Sequence, residues 1–175
     1  MKKIYIGFSL CFLLFSCGSS FQGFYNNHKA DMGTTSFQVP NFMKSVLSQI
    51  SPELNNTIGN ISDLKFIKFD ALNKFKRESL IAEMNAITNG GYTDVFRKND
   101  VSNTRIISVK ELGAVVTDAI IFNSTENETT AYYLQGNFDP EKIKSFANQN
   151  VFNEFSNSLM QSYQTNTTPS FNPEK

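Results

Sequence analysis

The sequence predicts an α+β fold: a two-layer sandwich in which a mainly antiparallel sheet of about five to six strands carries helices on one face. Two observations predict it. Apolar residues recur at helical spacing in three separate stretches. After Gly91, short alternating runs follow one another about every ten residues with polar turns between them, as in an antiparallel meander. The resulting order is strand, helix, strand, helix, four strands, helix.

The elements justify that order one by one. Gly18 to Gly33 is polar and contains glycine, with Phe21, Phe24 and Tyr25 as its aromatic residues. It reads as a tether with a short helical turn near the domain. Thr34 to Val39 is a strand with Thr35, Phe37 and Val39 on one face. Pro40 and Asn41 open a helix whose stripe is Phe42, Met43, Val46, Leu47 and Ile50. Asn55 to Asn60 is loop. Leu64 to Phe69 is apolar on both faces, through Leu64 and Phe66 on one and Ile67 and Phe69 on the other, which suits a central strand. A helix from about Asn73 to Thr88 buries Leu80, Met84 and Ile87, and Asn89-Gly90-Gly91 stops it.

The meander follows. Its strands are Tyr92 to Arg97, Thr104 to Leu112, Ala114 to Asn123 and Thr129 to Phe138, with a tight reversal at Gly113. Asp139-Pro140-Glu141 then supplies an N-cap carboxylate, a proline at the first helical position and an acid near the positive helix end. That helix carries Ile143, Phe146 and Ala147, and helical spacing resumes at Phe152, Phe155 and Leu159. From Gln161 onward the chain is polar with two prolines and reads as a disordered tail.

The first sixteen residues are of another kind. Lys2 and Lys3 precede the apolar run Ile4 to Phe15, broken only by Gly7 and Ser9. That run is too short to span a bilayer and has the form of an export signal. It ends in Leu14-Phe15-Ser16-Cys17, which resembles the lipobox of bacterial lipoproteins, although Phe15 is bulkier than the usual small residue. The expectation is cleavage between Ser16 and Cys17, with Cys17 acylated through its sulfur. Each buried methylene adds roughly 0.8 kcal/mol, so two or three chains anchor stably where one does not. The rival reading is a plain secretory signal cut at Ser19 or Ser20. The organisation is thus signal peptide 1–16, lipidated tether 17–33, single domain 34–160 and tail 161–175. Gly18-Ser19-Ser20 lacks the aspartate associated with inner-membrane retention, which favours an outer-membrane lipoprotein facing the periplasm.

Composition narrows the function. Removing Lys2 and Lys3 leaves 14 basic residues against 16 acidic ones, a net charge near −2 with no footprint for nucleic acid. Cys11 leaves with the leader, so the mature chain has no free thiolate and no disulfide. There are 17 phenylalanines and no tryptophan, the inventory of an aromatic core with a lipid- or peptide-binding surface as the rival account.

Four stretches together resemble the bacterial lipoprotein family catalogued as domain of unknown function 4252. They are the lipobox ending in Cys17, the passage Thr34-Thr35-Ser36-Phe37-Gln38-Val39 into Phe42-Met43, the apolar strand after Ile61-Ser62, and Leu134-Gln135-Gly136-Asn137-Phe138-Asp139. The resemblance spans roughly Thr34 to Ala147 and consists of packing patterns rather than catalytic ones. It implies an envelope lipoprotein with no established activity, and a regulatory partner in a sigma-factor type signalling system.

Few residues offer chemistry. His28 is the only histidine, which removes zinc sites needing two and most catalytic triads; beside Lys29 and Asp31 it reads as a solvated linker residue. Asp94 and Asp118 each interrupt an apolar strand pattern. If both faced the core side they could meet across the sheet and shift each other's pKa; otherwise each points outward or binds backbone at a bulge. Glu126 and Glu128 read as a solvated hairpin tip, and Gly90-Gly91 as a helix stop rather than a phosphate cradle. Asn60-Ile61-Ser62 and Asn127-Glu128-Thr129 match a eukaryotic glycan acceptor that carries little weight in a bacterial lipoprotein. The expected function is a lipid-anchored envelope binding or interaction module without catalytic activity, cofactor or metal. Its partners are the membrane, through the anchor, and an envelope protein. The alternatives are a regulatory partner of an envelope signalling system and a periplasmic carrier of a hydrophobic ligand.

Overall fold

The computed structural model describes residues 19–39, 60–100 and 102–145, and 147, 148, 150, 153, 154, 156 and 157. The leader, Ser16 and Cys17, the helix expected from Pro40 to Ile50, the apolar positions Phe152, Phe155 and Leu159, and the tail from Gln161 lie outside the described residues. The elements are α1 (Phe21–His28), β1 (Thr34–Gln38), β2 (Asn60–Asp70), α2 (Lys74–Thr88), β3 (Thr93–Asn99), β4 (Thr104–Leu112), β5 (Val115–Ser124), β6 (Glu128–Phe138) and α3 (Pro140–Ser145).

The six strands form one sheet in the order β1-β2-β6-β5-β4-β3, and every neighbouring pair is antiparallel. β3 to β6 make the expected meander. Gly113, at φ +67°, reverses the chain between β4 and β5 in a conformation that a Cβ would strain. β2 lies between β1 and β6, as its two apolar faces require.

Alternation along the strands sorts the core into two clusters on opposite faces of the sheet. One contains Phe66, Ile107, Ile121, Tyr132, Leu134 and Phe138; the other contains Ile67, Phe69, Ile106, Ile120, Phe122 and Ala131. α1 and α2 cover the second, contributing Phe21, Phe24, Leu80, Met84 and Ile87. α3 is the exception to the expected single helical layer, because its Ile143 joins the first cluster. Ser156 reaches the same side, where its Oγ lies 2.5 Å from Tyr132 Oη. A sheet apolar on both sides must be covered on both, and each fully buried large side chain contributes about 1.5–3 kcal/mol.

Local chemistry sets the helix ends. Asn73 Oδ1 caps α2 by accepting from Lys76 N at 2.8 Å, and Gly91, at φ +96°, turns the chain into β3. Asp139 Oδ1 accepts from Glu141 N at 2.9 Å, with Pro140 opening α3 as expected.

The segment expected to be a tether is structured from Phe21. Ser20 Oγ caps α1 by accepting from Gly23 N at 3.1 Å, and Phe21, Phe24 and Tyr25 are buried. The i, i+3, i+4 spacing of these three rings is a one-sided helical stripe, and three buried aromatics outweigh the polar residues between them.

Candidate functional site

Asp94 and Asp118 both lie on the face covered by α1 and α2, but they do not meet. Asp94 is opposite Ser108, Ser108 is opposite Ile120, and Asp118 is two residues before Ile120 on β5. Strand spacing and rise put the two Cα atoms about 12 Å apart. Each carboxylate has its own partners. Asp94 accepts from Ser108 Oγ at 2.5 Å and from Arg97 through Nε at 2.5 Å and Nη2 at 2.9 Å. Arg97 also reaches α2, bonding Asn85 Oδ1 through Nη1 and Thr88 Oγ1 through Nη2 at 3.0 Å. The guanidinium therefore clips the edge strand β3 to the helix above it. It holds the Asp94 carboxyl below its ordinary value, against an opposing contribution from burial.

Asp118 accepts from Tyr133 Oη at 2.5 Å and from Thr117 Oγ1 at 2.9 Å. Burial first, and then this bond to Asp118, push the Tyr133 hydroxyl up, so it stays protonated and donates. Burial and the Asp118 charge push Tyr92 up to about 12. Cations complete this end of the sheet. Lys110 Nζ sits 4.5 Å from the Tyr92 ring centroid, and the buried Lys65 pairs with Asp63 while lying 5.1 Å from the Tyr133 ring centroid. Gln38 Nε2 donates to Asp63 Oδ1 at 3.2 Å, and Phe21 stacks on Tyr133 at 5.3 Å. Acids, lysines and tyrosines here bind one another. The arrangement can orient polar groups and hold protons on the tyrosines.

His28 is not a solvated linker residue. Its Nδ1 lies 2.8 Å from Asp31 Oδ2 and its Nε2 2.9 Å from Glu83 Oε2, with Phe24 and Phe69 edge-on to the ring. Each ring nitrogen thus faces a carboxylate oxygen, and Lys76 Nζ lies 3.4 Å from Nδ1. Lys76 Nζ donates to Asp31 Oδ2 at 2.9 Å, and Lys76 first and His28 second lower the Asp31 pKa. Glu83 is 55 positions from His28, and that distance hides the pairing from a reading of local sequence.

At the opposite end of the sheet, a half-open cleft of about 530 Å³ is lined by Leu72, Arg77, Ile81, Asp100, Thr104 and Glu126, among others. Arg77 donates through Nε to Ser124 Oγ at 3.1 Å, and Ser124 Oγ meets Thr129 Oγ1 at 2.7 Å. Of the two acids at the hairpin tip, Glu126 lines this cleft and Glu128 accepts from Lys68 Nζ at 3.0 Å. Among the described residues, no group of three or more His, Cys, Asp or Glu could hold a metal ion. No helix among them is long and apolar enough to cross a membrane.

An open six-stranded antiparallel sheet, apolar on both faces and flanked by short polar networks, defines a small α+β domain. The family model described as Domain of unknown function (DUF4252) matches residues 25–146, and the chain belongs to that family. The matched span opens inside α1, at Tyr25, and closes just past α3. No curated protein and no solved structure matches the chain.

Proposed function

We propose that this chain is a lipid-anchored cell-envelope binding or interaction module that works without catalysis, held at the outer membrane and facing the periplasm. The observation that carries this reading is Leu14-Phe15-Ser16-Cys17 at the end of a short apolar run behind Lys2-Lys3. Supporting it, the carboxylates that looked most like catalytic candidates are engaged in holding elements together: Asp94 with Arg97, and Asp118 with Tyr133. A hydrophobic-ligand carrier finds less support, because the cleft is rimmed by Arg77, Asp100 and Glu126.

Fractionation tests the anchor. The wild-type protein should sediment with membranes and show an acylated Cys17 as its first residue by mass spectrometry. Cys17→Ala should lose the acyl mass and leave the membrane fraction. Continued sedimentation of that variant, or a mature chain beginning elsewhere, sinks the reading. In-cell crosslinking of wild type against Cys17→Ala then tests for an envelope partner, which should be captured only when the anchor is present.

A further inference from the structure

We infer that the end of the domain where the chain enters is a membrane-contact surface, with Leu112 at the tip of the β4–β5 hairpin set in the lipid headgroup layer. The inference rests on the lipid-anchor reading above and adds an orientation and a second contact to it.

A continuous line of contacts carries it. Because α1 begins at Phe21, only Gly18, Ser19 and Ser20 separate Cys17 from the packed domain. Ser20 is fixed as the cap of α1, and Ser19 lies against the end of α2, where a methyl at Gly90 would sit 3.9 Å from the Ser19 carbonyl oxygen. Two residues reach about 7 Å at most, so a lipidated Cys17 holds this end of the domain against the bilayer surface. Gly90 leads through Gly91 to Tyr92, whose ring lies under Lys110 Nζ at 4.5 Å. Lys110 is two residues from Leu112.

The hairpin projects on this same side. Phe21 stacks on Tyr133, which is opposite Ile120, and Ile120 is opposite Ser108. Leu112 lies four residues beyond Ser108, about 13 Å further along the strand. It is 77% exposed, one of three large apolar side chains among the described residues that stand out in solvent, with Met32 and Phe75. An exposed leucine at a reversal, backed by a tyrosine and a lysine with a long apolar stem, suits the boundary between headgroups and acyl chains. Lys110 and Glu111 cancel, so the contact needs no anionic lipid.

The mature chain supplies its own labelling site. With Cys11 removed and Cys17 acylated, Leu112→Cys introduces a single reactive thiol, and Glu126→Cys does the same at the exposed β5–β6 turn at the opposite end. Each acylated full-length variant carries a polarity-sensitive fluorophore and is reconstituted into phosphatidylcholine vesicles doped with headgroup-nitroxide lipid. The label at position 112 should be quenched several-fold more than the label at 126, and high salt should not change the difference. Inserting ten Gly/Ser residues after Gly18 allows excursions of roughly 17 Å and should weaken the quenching at 112. Equal quenching at the two sites, in protein that is acylated and vesicle-bound, overturns the membrane contact and leaves the anchor standing. An unmodified Cys17 with no vesicle binding overturns both.

Discussion

At the scale of single residues, the sequence marked the right positions more often than the right partners. Asp94 and Asp118 stood out because each broke an apolar pattern, and both do lie on the helix-covered face. What they bond depends on register and on α2, which no local pattern encodes. Asp94 offers a test of the Arg97 clip. Its pKa is lowered in the fold, so its contribution is complete above the unfolded carboxylate value near 3.9 and is lost as pH falls through the folded value. Asp94→Asn should therefore destabilise the protein at pH 7, by about 0.5–1 kcal/mol, because a side chain 40% exposed is screened by water. In urea titrations the gap between the two proteins should stay flat from pH 7 to about 5 and close below about pH 4. A gap that persists at low pH would show that packing, not charge, is what the substitution removes. Ala71 offers a second test. Among the described residues it is the non-glycine residue with positive φ, at +53°, where the chain leaves β2. A Cβ there costs roughly 1–2 kcal/mol, part of which glycine returns through the greater freedom of its unfolded chain. Ala71→Gly should raise the urea midpoint slightly, by less than about 1 kcal/mol in free energy; a lower midpoint counts against strain at this site.

At the scale of elements, strands β2 and β4 to β6 and helix α2 were legible because their periodicities are clean and their ends carry standard punctuation. Asn73, Gly91, Gly113 and Asp139 all act where sequence places them. α1 was only partly so, read as a short helical turn in a tether, and the reason is physical. Eight residues make a helix too short to be stable alone, so its existence depends on tertiary burial of Phe21, Phe24 and Tyr25. Polar neighbours and a flanking glycine mask that burial in a sequence window. The consequence is measurable. Phe24 is fully buried against Phe69 and His28, so Phe24→Ala should cost about 3–5 kcal/mol, a large share of the stability of a domain this size. A true tether residue would cost nothing. A change under about 0.5 kcal/mol by urea unfolding, the usual range for a surface substitution, returns Phe24 to the tether.

At the scale of the whole molecule, the decisive feature is that one sheet serves two cores. The expectation of a single helical layer missed this, although β2 announced it by being apolar on both faces. The cover of the face that carries Phe66 and Tyr132 was not readable, because among the described residues it includes Ile143 and Ser156, which lie beyond the last strand. Sharing has a thermodynamic consequence. β2, β4, β5 and β6 each send side chains into both clusters, so neither core can melt without breaking strands that the other needs. Leu64→Ala on one face and Phe122→Ala on the other should thus behave alike. Each should lower stability by several kcal/mol, about 2–5 for the leucine and 3–5 for the phenylalanine, in a single transition. With no tryptophan present, tyrosine fluorescence and far-UV circular dichroism are the natural pair of probes. The two curves should coincide in urea for both variants, with the same m-value as wild type. If the Leu64 variant loses tyrosine signal while the helices of the opposite face persist, the faces are independent layers, and the sheet is a partition between two cores rather than their common frame.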